Sequence, residues 1–184
     1  MAHPFEILGL APSFALDPSV LEQRQRELNR ALHPDRHAGK SPGERRQALS
    51  RAMDINLAYR TLRDPASRAE ALFELLGAGS TRESTISDPV LLMEMMEQRE
   101  ALEEARRADD RTQLDAIGRS MAEREQVVLG RLSEAFAPLL TGSPSPATSS
   151  AALREAQLAR ARQLLAELRY VRRFAEEIAA FEDD

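Results

Sequence analysis

Apolar residues recur along this chain at steps of three and four, the period of helices rather than of strands. Over 111–139, Leu114, Ile117, Met121, Val128, Leu132, Phe136 and Leu139 fall on one stripe. Over 150–181, Leu158, Ala161, Leu164, Leu165, Leu168, Val171, Phe174 and Ile178 mark another. A helix of 29 residues is about 43 Å long and cannot cover its own stripe. Together with a third segment over 89–107, these predict a three-helix bundle with short connections.

Helix starts are punctuated by a cap residue followed by proline at the first helical position: Asp17-Pro18, Ser41-Pro42, Asp64-Pro65 and Asp88-Pro89. Glu44 is placed to close a capping box with Ser41. The predicted helices run from Pro18 to about Leu32, from Pro42 to Arg63, and from Pro65 to the Gly77-Ala78-Gly79 break. The polar stretch 80–87 reads as a linker, and Thr141 to Ser150, with two prolines and a glycine, as a loop. The organisation expected is an N-terminal unit over 1–79, a linker over 80–87 and a C-terminal unit over 88–184, all of it α-helical.

Composition narrows the chemistry. The 184 residues include no cysteine, which excludes disulfides, thiolate zinc sites, cysteine-held iron–sulfur clusters and thiol catalysis. No run approaches the roughly 20 apolar residues of a membrane span. The start, Met1 to Leu8, lacks a basic segment followed by an apolar one, so a cytoplasmic protein is expected. The net charge of −5 gives no general attraction to nucleic acid. Its distribution is uneven: residues 1–75 carry +1 and the remainder −6, which suggests two different partners.

Between the first two long helices stands His33-Pro34-Asp35, followed by Arg36 and Lys40. Pro34 stops the preceding helix, because it disfavours helical geometry in the residue before it and lacks an N–H. Two histidines and one carboxylate without a partner helix make a poor metal site, and no nucleophile elbow or phosphate loop accompanies them. No metal, no cofactor and no enzymatic activity are therefore expected. The preceding helix carries Arg24, Arg26 and Arg30, with Leu21, Leu28 and Leu32 as its expected inner positions. On the following one, Ala52, Ile55, Tyr59 and Leu62 share a face able to pack against those leucines. From Leu21 to Arg63 the net charge is +5, beside the tripeptide.

The opening Pro4-Phe5-Glu6-Ile7-Leu8-Gly9-Leu10, the His33-Pro34-Asp35 tripeptide and the Ile55–Pro65 stretch, in this order and spacing, resemble a J domain. That resemblance implies an antiparallel helical hairpin with short flanking helices, packed in part through Phe5, Ile7 and Leu8. It also implies an Hsp70 chaperone as partner, engaged by His33, Pro34 and Asp35, with Arg24, Arg26, Arg30, Arg36 and Lys40 adding charge contacts. Many J domains have Asp-Tyr near the start, where this chain has His3-Pro4-Phe5.

The segment from Asp88 to Asp110 carries −5. On a helix, Met93, Glu97, Glu100 and Glu104 lie close to one line with Leu92 and Met96 beside it, while Leu91, Met95 and Leu102 form a separate line suited to a core. Leu92, Met93 and Met96 either complete the core under a solvated acidic face, or form a docking face in which methionine adapts and glutamate selects charge. Asp88 with Leu92-Met93-Glu94, Arg99-Glu100-Ala101-Leu102-Glu103-Glu104, and Leu168-Arg169-Tyr170-Val171 resemble the HscB family of iron–sulfur cluster biogenesis, in its bacterial form, over essentially the whole chain. The resemblance implies a specialised Hsp70 of the HscA type and an iron–sulfur scaffold of the IscU type as partners. Leu92, Met93, Met96, Glu97, Glu100, Glu104 and Tyr170 would bind the scaffold; Tyr170 stands where phenylalanine is common. A generic J-domain co-chaperone of a housekeeping Hsp70 is the alternative, and the absence of a further apolar stripe in the first half leads to the expectation of a monomer.

Overall fold

The computed structural model describes residues 2–32, 39, 41–79, 86, 88–141 and 148–182. Among the described residues all regular structure is helical: α1 Pro4–Leu8, α2 Pro18–Ala31, α3 Pro42–Arg63, α4 Pro65–Leu75, α5 Pro89–Ala108, α6 Arg111–Thr141 and α7 Thr148–Glu182. The chain divides into two compact units, Met1–Ser80 and Thr81–Asp184. No helix among the described residues is long and apolar enough to cross a membrane.

The cap–proline pairs act as their chemistry dictates. Asp17 accepts from Ser19 N, Asp64 from Ser67 N and Asp88 from Val90 N, at 2.8, 2.8 and 2.9 Å. Ser41 and Glu44 close their capping box, the Glu44 carboxylate accepting from Ser41 N at 2.9 Å. Each bond satisfies a donor that the first helical turn leaves without an intrahelical partner.

In the first unit, Phe5 and Leu8 of α1, Leu21 of α2, and Ala48, Ile55, Ala58 and Leu62 of α3 are buried, with Ala69, Ala71, Leu72 and Phe73 of α4 closing the core. Gly9 ends α1 in the left-handed region at φ 62°, where a residue without Cβ is unstrained. Gln25 and Asn29 of α2 both donate to Asn56 Oδ1 of α3 at 3.0 Å, and Leu21 lies by Tyr59 and Arg63. The two helices therefore run antiparallel. This amide cluster also revises the expected packing: Leu28 and Leu32 are only half-buried, because polar side chains occupy the α2–α3 seam on their half of the helix. Ile7, Ala52 and Tyr59 are likewise half-buried.

In the second unit one core cluster draws on all three helices: Leu102 and Ala105 of α5, Leu114, Ile117 and Met121 of α6, and Val171, Phe174 and Ile178 of α7. The remaining stripe residues, Val128, Leu132, Phe136 and Leu139 with Leu158, Leu164, Leu165 and Leu168, are buried along α6 and α7. The α5–α6 turn places Asp109 at φ 50°, a left-handed conformation that aspartate tolerates better than most side chains. Asp110 then caps α6 by accepting from Gln113 N at 3.0 Å.

Candidate functional site

The expected Hsp70-binding turn, His33, Pro34, Asp35, Arg36 and Lys40, lies outside the described residues. The helices on either side of it do not: α2 stops at Ala31, and α3 starts at Pro42. The three arginines of α2 have different surroundings. Arg24 is half-buried, its Nε donating to Leu8 O at 2.7 Å and its Nη1 paired with Glu27 at 3.4 Å. Its guanidinium also lies against Gly9, where an added Cβ would sit 2.8 Å from Nη2. Arg24 thus ties α2 to the end of α1. Arg26 is exposed and loosely paired with Glu22 at 3.8 Å. Arg30 is exposed in the last turn of α2, where a cation is favoured by the helix dipole.

On α5 the core line and the outer line separate. Met95 and Leu102 are buried and Leu91 is half-buried, whereas Leu92, Met93 and Met96 are 43%, 64% and 65% exposed. These three do not complete the core, so the reading of them as core residues fails. Glu97, Glu100 and Glu104 are exposed on the same side, and none pairs with a described residue. The outer face of α5 is therefore apolar in its first turns and acidic further on.

Polar struts hold α5 with that face outward. Arg124 of α6 reaches Glu94 of α5 at 3.0 Å and Glu167 of α7 at 2.9 Å. Burial opposes the Arg124 charge, but its hydrogen bonds to Glu167 and Glu94 outweigh this and hold its pKa above the ordinary arginine value. Arg99 and Arg106 of α5 both meet Glu177 of α7, at 3.3 and 3.1 Å. Sequence spacing did not identify Arg124 or Glu177, because their partners lie more than 25 positions away; a lone arginine on an apolar stripe was the only signal.

Tyr170 is half-buried beside the patch. Its ring stacks on Phe174 with centroids 5.8 Å apart and packs against the core cluster, and its hydroxyl donates to Met95 O at 3.2 Å. Burial raises its phenol pKa. Tyr170 joins α7 to α5 and stays partly exposed, and its hydroxyl has a partner that phenylalanine would leave unused. Among the described residues no group of three or more His, Asp or Glu side chains is placed to hold a metal ion.

Residues 87–179 match the family described as the HSCB C-terminal oligomerisation domain. A co-chaperone protein HscB homolog of Shewanella loihica is 47% identical over 107 residues, a stretch that covers 58% of this chain and 62% of that protein. Chaperone HscB from Vibrio cholerae superposes with a TM-score of 0.74 at 32% identity, covering 99% of this chain and 98% of that one. The human co-chaperone protein HscB gives 0.77 at 23% identity, covering 99% and 83%, a likeness of fold.

Proposed function

The chain belongs to the HscB family of co-chaperones, and from that premise we propose that it delivers an IscU-type iron–sulfur scaffold to an HscA-type Hsp70 in the cytoplasm and stimulates that chaperone's ATPase. Co-chaperones of this family are not enzymes themselves, so the ATP turnover belongs to the partner. The observation that carries the reading is the outer face of α5, where Leu92, Met93 and Met96 stand exposed beside Glu97, Glu100 and Glu104, none of which pairs with a described residue, inside the family-matched region. Such a face suits a partner offering apolar contact together with lysine or arginine.

The first unit, residues 1–79, is the J domain of this proposal, with His33, Pro34 and Asp35 engaging the Hsp70. Arg26 and Arg30, exposed on α2, steer its approach through charge. Residues 88–184 are the scaffold-binding domain. Holding both partners on one chain raises the local concentration of scaffold at the chaperone.

Single-turnover ATP hydrolysis by an HscA-type Hsp70, with this protein and with or without scaffold, tests the proposal. Stimulation should grow when scaffold is added and vanish in the Asp35→Asn variant, while scaffold binding by that variant stays intact. Stimulation indifferent to scaffold indicates a general J-domain co-chaperone instead, and no stimulation refutes the reading.

A further inference from the structure

Where α2 starts and α3 ends, at the end of the hairpin remote from residues 33–40, lies a cavity of about 220 Å³. Leu16 and Leu21 give it an apolar wall, and Glu22, Tyr59, Arg63 and Arg68 supply its polar groups. The two arginines come from different helices, and an aromatic ring holds each in place. The Arg68 guanidinium of α4 lies over the buried Phe14 ring at 5.1 Å, and that of Arg63 over the Tyr59 ring at 6.0 Å. Neither has a hydrogen bond or ion pair with a described residue. Arg68 is half-buried, and its Nε–H is closed off from solvent without an acceptor. Burial lowers its pKa, and the charge of Asp64 offsets only part of that. Arg124, also opposed by burial, shifts the other way because Glu167 and Glu94 hold it. Arg68 is thus a desolvated cation that lacks its anion.

We infer that this cavity binds a carboxylate carried on a short apolar group, supplied by a free organic acid or by the C-terminus of a peptide. The planar fork of a guanidinium matches the two oxygens of a carboxylate, and two such forks line the same space. The Tyr59 hydroxyl, without a partner among the described residues, adds a neutral donor. Arg63, Arg68 and Glu22 together give the lining a net charge of +1, which suits one negative charge. Glu22 is exposed and only loosely paired with Arg26 at 3.8 Å, so it repels the second charge of a phosphate. Leu16 and Leu21 take the apolar group. The volume is below the roughly 300 Å³ at which drug-sized sites begin, which leaves out nucleotides and admits a group the size of one amino acid. The site shares no residue with the Hsp70 or scaffold surfaces proposed above, so its ligand is additional to both partners.

Amide NMR spectra of the full chain, titrated at constant pH and ionic strength, test this with four probes: isovalerate, N-acetyl-leucine, N-acetyl-leucinamide and inorganic phosphate. A carboxylate probe should shift the amides of Leu16, Leu21, Glu22, Tyr59 and Arg63 and saturate. The leucinamide should shift none of them, and phosphate should bind more weakly. Saturation by both carboxylates supports a site for free acids, and saturation by N-acetyl-leucine alone a site for peptide C-termini. Arg68→Met should weaken binding at least about tenfold, through loss of a charged hydrogen bond. Glu22→Gln should tighten it, a gain that damage to the fold would not produce. If Arg68→Met disturbs folding, the exposed Arg63, changed to Gln, decides the matter, with weaker binding expected. Shifts that saturate with neither carboxylate overturn the inference. So do equal shifts with the leucinamide, tighter binding of phosphate, or carboxylate binding unchanged in both arginine variants.

Discussion

Arg124 and Glu167 form an ion pair across the α6–α7 interface, Nε to Oε1 at 2.9 Å, in which the glutamate is almost wholly buried. Both terminal nitrogens of the same guanidinium hold Glu94 Oε2 at 3.0 Å, so one cation joins three helices. A buried carboxylate that loses its cation keeps its desolvation cost without compensation. Arg124→Met should therefore destabilise the second unit by about 3 kcal/mol. Adding Glu167→Leu should restore most of that loss, because apolar side chains then fill the site. Urea denaturation of the two variants checks this; equal stability of the wild type and the single variant would show that the pair contributes nothing.

The exposed methionines separate binding from folding. Replacing Met93 and Met96 by serine removes apolar contact area without opening a cavity, since both side chains stand in solvent. Scaffold affinity should fall at least tenfold, about 1.4 kcal/mol, with the melting temperature unchanged. Isothermal titration alongside a thermal melt distinguishes the outcomes, and a drop in melting temperature with unchanged affinity would return these residues to the core.

Arg24 and Arg30 share a helix and a charge but differ in what they touch. Arg24 donates to the Leu8 carbonyl and packs against Gly9, whereas Arg30 is exposed. Arg24→Ala should lower the stability of the first unit by about 1.5 kcal/mol through loss of a charged hydrogen bond. Arg30→Ala should change it by less than about 0.5 kcal/mol. If both arginines serve the Hsp70 encounter, each variant should reduce its association rate, more at low salt than at high. Equal destabilisation by the two would contradict the strut assigned to Arg24.

Helix boundaries were legible because their signals are local: an aspartate or serine before a proline fixes a helix start whatever lies elsewhere in the chain. The stripes of α6 and α7 were legible because burial along a long helix repeats with its period. The α2–α3 seam was not, since Gln25, Asn29 and Asn56 look like surface residues until the helices meet. The exposed Leu49, Met53 and Leu57 do not stand out in the sequence, because α3 bears apolar residues around most of its circumference, which masks a second stripe. For α5 the pattern offered two apolar lines and left open which one faced inward; the struts from Arg124, Glu177 and Tyr170 decide it, and all three come from distant positions.

Tyr170 gives the sharpest test of that arrangement, because its hydroxyl and its ring do separate things. The hydroxyl donates to Met95 O on α5, while the ring lies on Phe174. Tyr170→Phe removes only the first and should cost about 1 kcal/mol, with scaffold affinity unchanged within about twofold. The pH dependence follows from the raised phenol pKa, caused chiefly by burial. A proton held more tightly in the folded state contributes stability that is fully present below the unfolded value of about 10 and is lost as pH rises through the folded value. The wild type should therefore lose stability more steeply than Tyr170→Phe in that alkaline range, and the gap between them should close as the phenol ionises. Parallel alkaline limbs would mean that burial does not hold the phenol in its protonated form. A large loss of scaffold affinity in the phenylalanine variant would show that the hydroxyl itself contacts the scaffold.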